Sequence, residues 1–173
     1  MGILGTIHFN MQNMKKAKKL RAMTAEEIIA MNDEDFFCAV ECLCEDAVYD
    51  IKSSDISEEQ KLVYSLNRFE AEVNNGGMCQ FLVNSSSECA PYISKALEEI
   101  DALALKEAFD GFIADNHIDV YDLSSFKISD ISEFEAQTER FDFDSFDDKF
   151  YKDDEFHQKV IDYARKNINN LMK

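Results

Sequence analysis

The chain has 173 residues, 46% of them hydrophobic, with one proline and five glycines. That length and apolar content supply one good core without demanding two domains, and so little turn-forming material favours helices. Its 35 acidic residues against 18 basic ones give a formal charge of −17, which repels nucleic acid and anionic membrane and attracts basic protein surfaces. Solubility alone is the competing explanation of that acidity.

The charge is unevenly spread. Lys15, Lys16, Lys18, Lys19 and Arg21 precede Thr24 with no acid among them, so the chain from Thr24 onward holds 35 acids against 13 bases. Residues 1–23 read as a basic N-terminal extension, mobile or loosely helical, able to fold back on an acidic body of residues 24–173. Met1-Gly2-x-x-x-Thr6 matches only a short, degenerate myristoylation pattern, and basic residues that follow the apolar ones are in the wrong order for a signal peptide. Five cysteines without a C-x-x-C pair suit a reduced, cytoplasmic protein. No apolar run approaches membrane-spanning length.

In chain order, Thr24-x-x-Glu27 is a capping box that opens a short helix near residues 25–31. Asn32 or Asp33 then caps a longer helix to about Ile51, with Phe36, Phe37, Val40, Leu43, Cys44, Ala47, Val48 and Ile51 in one stripe. Opposite them lie Glu34, Glu41 and Glu45, flanked by Asp35, Asp46 and Asp50. Cys38, Cys42 and Tyr49 share that polar side. Carboxylates three or four residues apart on a helix sit about 5–6 Å apart at Cβ, comparable with phosphate spacing along a DNA strand. Like-charge pairs of this kind destabilise a helix slightly.

Ser57 and Gln60 cap the next helix, whose face carries Leu62, Leu66, Phe69 and Val73. Asn74-Asn75-Gly76-Gly77 stops it at a sharp corner, and Met78, Cys79, Phe81, Leu82 and Val83 begin a second apolar helix. Glu70 falls at the edge of the apolar stripe and Glu72 on the wet side. Glu70 is expected to accept backbone N–H groups freed at the turn, because a half-buried carboxylate needs donors. Ser85-Ser86-Ser87 makes a short break, and Pro91 sits in the first turn of a helix burying Tyr92, Ile93, Ala96, Leu97 and Ile100. Leu105, Ala108, Phe109, Phe112 and Ile113 line the following helix, which Gly111 weakens or opens to a close neighbour, and which ends near Asn116 with His117 as a helix-end residue. Residues 118–128 read as an extended segment or a loose turn.

Ser132-x-x-Glu135 reads as a third capping box and opens the most acidic region. Residues 130–155 hold eleven acids against Arg140, Lys149 and Lys152. The interleaved Phe134, Phe141, Phe143, Phe146, Phe150 and Tyr151 keep it from reading as a disordered acidic tail. Asp142-x-Asp144 fails as a calcium loop at Phe146 and for want of the glycine and the last-position glutamate. Phe156, Val160, Ala164, Ile168 and Leu171 form a final amphipathic helix, which Lys159, Arg165 and Lys166 make less acidic. No phosphate loop, nucleophile elbow, Ser-His-Asp set or metal cluster appears, so no catalytic residue, metal or cofactor is assigned.

The run Glu70-x-x-x-Asn74-Asn75-Gly76-Gly77-x-x-Gln80-Phe81-x-x-Asn84, with Ala96-Leu97-x-x-Ile100 and Phe146-Asp147-Asp148-x-Phe150-Tyr151, resembles the signature of an acidic bacterial domain family that includes a DNA-mimic protein. The resemblance runs from about Met23 to the C-terminus. It implies a protein that is not an enzyme and whose partner is a basic DNA-binding protein, a transcription regulator or nucleoid-type protein, with no direct contact to nucleic acid or membrane.

The expected fold is an all-α, single-domain compact bundle of roughly seven to nine helices, and a homodimer is an admissible assembly. Expected partner-binding residues are Glu34, Glu41, Glu45 and Asp46, then Asp142, Asp144, Asp147, Asp148, Asp153, Asp154 and Glu155. Glu70, Asn74, Asn75, Gly76, Gly77, Gln80 and Asn84 form the structural motif. Two alternatives stand beside this reading: an immunity or antitoxin-type inhibitor of a basic nuclease, and an enzyme centred on Glu70 if a deep pocket opens at the corner.

Overall fold

Secondary structure over residues 18–20, 22–44 and 50–173 is described by a computed structural model, and throughout those residues it consists of helices and turns, an all-α fold. No described helix is long and apolar enough to cross a membrane. The expected basic extension lies largely outside the described residues. The chain divides into two compact units: one takes in the chain up to Tyr64 together with Ile161–Lys173, and the other is Ser65–Val160.

In the first unit the capping box forms as its spacing requires. The Thr24 hydroxyl accepts the Glu27 N–H at 3.2 Å and Glu27 accepts the Thr24 N–H at 2.8 Å, opening α1, Ala25–Ile29. Asn32 caps α2, Asp33–Leu43, by accepting the Asp35 N–H at 3.0 Å, and Phe36, Ala39, Val40 and Leu43 are buried. The expected continuation of this helix to Ile51 is not seen. It stops at Leu43, with Cys44 at φ −90° and ψ 4°, and Ala47, Val48 and Tyr49 lie outside the described residues. Apolar periodicity reports which face is buried, not where the hydrogen-bond ladder ends. The Leu43 carbonyl takes a donor from elsewhere, the Gln60 amide at 3.4 Å.

Gln60 is 7% exposed and fully engaged. With Ser57 it forms the second capping box, at 3.1 and 2.8 Å, and its amide nitrogen also reaches the Leu171 carbonyl at 3.0 Å. It thereby opens α3, Glu58–Val83, while satisfying carbonyls at the ends of two other helices. The final amphipathic stretch breaks near Asn167 into α8, Phe156–Lys166, and α9, Ile168–Leu171, with Phe156, Val160, Ala164, Ile168 and Leu171 all buried. Arg165, expected only to dilute acidity, is an internal fastener. It donates to the carbonyls of Ile29 and Met31 and to Asp33, the last at 2.7 Å, and lies 4.1 Å over the Phe36 ring.

Phe69 organises the second unit. The rings of Phe81, Phe109, Phe146 and Phe150 surround it edge-on at 4.9 to 6.0 Å. After a 3₁₀ turn, Ser85–Cys89, come α4, Ala90–Glu99, with Pro91 in its first turn, and α5, Leu103–Asp115. Ile93, Ala96, Leu97, Leu105, Ala108, Phe109 and Phe112 are buried as their spacing predicts. Among the described residues, no atom outside the local backbone of α5 would lie within 4 Å of a Cβ at Gly111, so of the two readings of this glycine the weakening of α5 is the one supported. Residues 118–128 are turns and a 3₁₀ segment, Ser124–Phe126, anchored by buried Phe126.

The cap of α6, Ile131–Thr138, is Asp130 and not Ser132. Asp130 accepts the N–H groups of Ser132 and Glu133 at 2.9 and 3.0 Å, and Glu133 accepts that of Ser129. The Ser132 hydroxyl itself donates to the same Asp130 oxygen at 2.7 Å, so the serine is engaged inside the first turn and does not cap it. The remaining helix of this unit is α7, Asp144–Phe150.

Candidate protein-binding surfaces around a glycine corner

The corner forms inside α3, and its two glycines serve different purposes. Gly77 adopts φ 75° and ψ −178°, a conformation that side chains oppose. Gly76, at φ −168°, is merely extended; here absence of a Cβ leaves room for the Gln80 amide, which such an atom would overlap.

Breaking the helix frees backbone groups on both sides. Asp147 Oδ1 accepts the Met78 N–H at 2.8 Å, and the Tyr151 hydroxyl donates to the Val73 carbonyl at 2.7 Å. Burial is the main reason the Asp147 carboxyl is held above its usual range, with Asp144 and Asp148 adding to the effect and the Met78 N–H opposing it. Tyr151 is likewise raised, by burial first and by Asp147 second.

The role expected of Glu70 therefore belongs to Asp147. Side chains on a helix lean toward its N-terminus, so Glu70 leans away from the N–H groups freed after Gly77. It meets His157 Nδ1 instead, at 3.0 Å. Glu72, placed on the wet side by a straight wheel, is the polar hub of the corner. Its Oε2 accepts Gln80 Nε2 at 2.7 Å and Asn84 Nδ2 at 2.8 Å, and its Oε1 accepts the Ser86 hydroxyl at 2.9 Å. The kink returns the second arm to Glu72, a proximity that no straight-helix spacing reveals.

The acids expected to bind a partner are distributed as follows. In the first unit Glu34 and Glu41 are exposed on α2, and Glu45 and Asp46 lie outside the described residues. In the second unit Asp142, Asp144, Asp148, Asp154 and Glu155 are exposed, Asp148 and Glu155 at 73% and 82%. Asp153 is half-buried and accepts the Glu155 N–H at 3.1 Å, which shapes the turn after α7. Asp147 is half-buried and committed to the corner. The acids of this stretch alternate with Phe143, Phe146, Phe150 and Phe156, all buried. Its carboxylates are thus displayed from a backbone pinned by aromatic anchors.

Beside the corner an open cleft of about 540 Å³ is lined by Asn75, Gln80, Asn84, Ser129 and Asp130, with Ile128 and Phe134 as its apolar walls. Glu70 is not among its lining residues. Among the described residues no group of three or more His, Cys, Asp or Glu side chains is placed to hold a metal ion. Burial pushes the Cys44 and Cys89 thiols up to about 12 and that of Cys79 up to about 11, which removes their nucleophilicity.

The family model described as DMP19-like protein matches residues 54–167. That span holds the glycine corner, the cleft and the acidic stretch, and leaves out Glu34 and Glu41. No curated protein and no solved structure gives a significant match. With well over half of its length matched, and the matched part built around the corner just described, the chain belongs to the DMP19-like protein family.

Proposed function

We propose that this protein is an acidic binding module that imitates the charge of duplex DNA and competitively occupies the DNA site of a basic DNA-binding protein, either a transcription regulator or a nucleoid-type protein. One observation carries the reading: Asp142, Asp144, Asp148, Asp154 and Glu155 are exposed on a segment whose Phe143, Phe146, Phe150 and Phe156 are buried. Carboxylates on an anchored backbone meet lysines and arginines without the ordering cost a floppy acidic tail incurs. Membership of the DMP19-like family and the resemblance to a family containing a DNA mimic support the same reading. Glu34 and Glu41 contribute a second acidic face, and Asp147 holds the corner instead of meeting the partner. Occupation of phosphate-binding lysines and arginines makes the association steeply salt-dependent, as for DNA itself. The module has no catalytic role and its natural compartment is the cytoplasm.

The test is a pull-down from bacterial lysate at low salt, eluted first with salt and separately with competing duplex DNA. Recovery of a DNA-binding protein released by both treatments is expected. The variant carrying Asp142→Lys, Asp144→Lys, Asp148→Lys and Asp154→Lys should retain none of it. Equal capture by that variant, or a partner indifferent to duplex DNA, overturns the proposal.

A further inference from the structure

We propose that the cleft between the glycine corner and the start of α6 is a receptor for one arginine side chain of the basic protein partner, an inference that rests on the reading above and supplies its anchor point. The acidic stretch provides charge without shape; the cleft provides shape. Its polar lining is oriented in advance. Gln80 Nε2 and Asn84 Nδ2 both donate to Glu72 Oε2, and the Ser86 hydroxyl holds the other oxygen of that carboxylate. Within a side-chain amide only the nitrogen donates, so each amide is fixed with its nitrogen toward Glu72 and its carbonyl oxygen turned away, that of Gln80 lying beside Gly76.

Across the cleft, Asp130 Oδ1 is engaged by Ser132 and Glu133 at the start of α6, and its charge remains on the wall. Half-buried Ile128 and Phe134 complete the walls, and among the described residues no lysine or arginine lines the cleft. A mainly apolar recess with one aromatic wall and a single carboxylate suits a flat, weakly hydrated cation that stacks on its face and pairs at its edge. Guanidinium has that form, whereas ammonium is a compact, strongly hydrated point charge. A nucleotide is disfavoured because its phosphate would enter the field of a chain with charge −17.

Two short peptides of equal length and charge, one of arginine and one of lysine, serve as probes against the full chain at fixed ionic strength, with amide NMR as the readout. The arginine peptide is expected to shift the side-chain amide resonances of Gln80 and Asn84 and the backbone of Phe134. Its affinity should exceed that of the lysine peptide by about two- to fivefold, the scale of a cation–π contact at a partly exposed site. Phe134→Ala and Asp130→Asn should each abolish that preference while leaving lysine-peptide binding almost unaltered; asparagine caps a helix as well as aspartate does, so Asp130→Asn keeps α6. Equal affinities, or shifts confined to residues 142–155 with the cleft silent, overturn the arginine receptor and leave charge mimicry standing. An arginine-specific cleft whose cellular partner ignores duplex DNA overturns mimicry alone.

Discussion

Asp147 and Tyr151 stand one helical turn apart at the end of α7, and together they take up two of the backbone groups that the glycine corner frees: Asp147 accepts the Met78 N–H and Tyr151 donates to the Val73 carbonyl. A kinked helix buries unpaired polar groups unless another element supplies partners. Here one element supplies both.

Replacing Asp147 by alanine leaves the Met78 N–H without its acceptor and should destabilise the fold by about 1–3 kcal/mol. Asp147→Asn retains an oxygen acceptor and has no proton to lose. Because the folded carboxyl titrates above its ordinary 3.8, folding favours its protonated form. That contribution is complete below 3.8 and is lost as pH rises through the raised folded value. In urea titrations over a pH series, the asparagine variant should therefore gain on the natural protein as pH rises through that window, after which the difference between them stays constant. A difference that stays flat with pH contradicts this assignment.

The two glycines should fail differently. Gly77→Ala places a side chain at φ 75° and against Asp147, with a cost of about 1–3 kcal/mol. Gly76→Ala has permitted backbone angles and should lose only the Gln80–Glu72 bond, about 0.5–1.5 kcal/mol. Double-mutant cycles check the pairing: Gly76→Ala should couple to Gln80→Ala, and Gly77→Ala to Asp147→Ala. Additive losses in both cycles rule out this division of labour.

Arg165→Ala should cost about 2–4 kcal/mol, since it strips charged donors from two carbonyls and Asp33 and the cation from Phe36. Arg165→Lys should recover little, because an ammonium cannot span that fork of acceptors. Chemical denaturation of the two variants beside the natural protein decides the point, and a lysine variant of natural stability refutes the fork.

Pulsed alkylation of the native protein, followed by peptide mass mapping, should label half-buried Cys38 and Cys42 first. Cys44, Cys79 and Cys89, with thiols raised to about 12, 11 and 12, should wait for unfolding. Early labelling of Cys89 would show that its surroundings open in the native state.

Local chemistry was legible in the residues because its partners are close in the chain. The Thr24–Glu27 and Ser57–Gln60 boxes, Pro91 in a first turn, the corner at Gly76-Gly77 and the buried positions of α4, α5 and α8 all follow from spacing. Where two caps compete within three residues, as at Asp130 and Ser132, spacing names the turn and not the winner. The early end of α2 was illegible because no glycine or proline marks it.

Composition, period and glycine placement act locally, and they suffice for an all-α chain with an acidic body and a sharp corner. Which carboxylates are occupied depends on the folded arrangement. Asp147 turns inward to Met78, Glu72 gathers Gln80, Asn84 and Ser86, and Glu70 meets His157, whereas Asp142, Asp144 and Asp154 face solvent, as do Asp148 and Glu155 beside Lys152 and Lys159. All are identical or nearly identical groups in the sequence, and they diverge because a carboxylate's role is set by the donors that folding brings to it from distant parts of the chain.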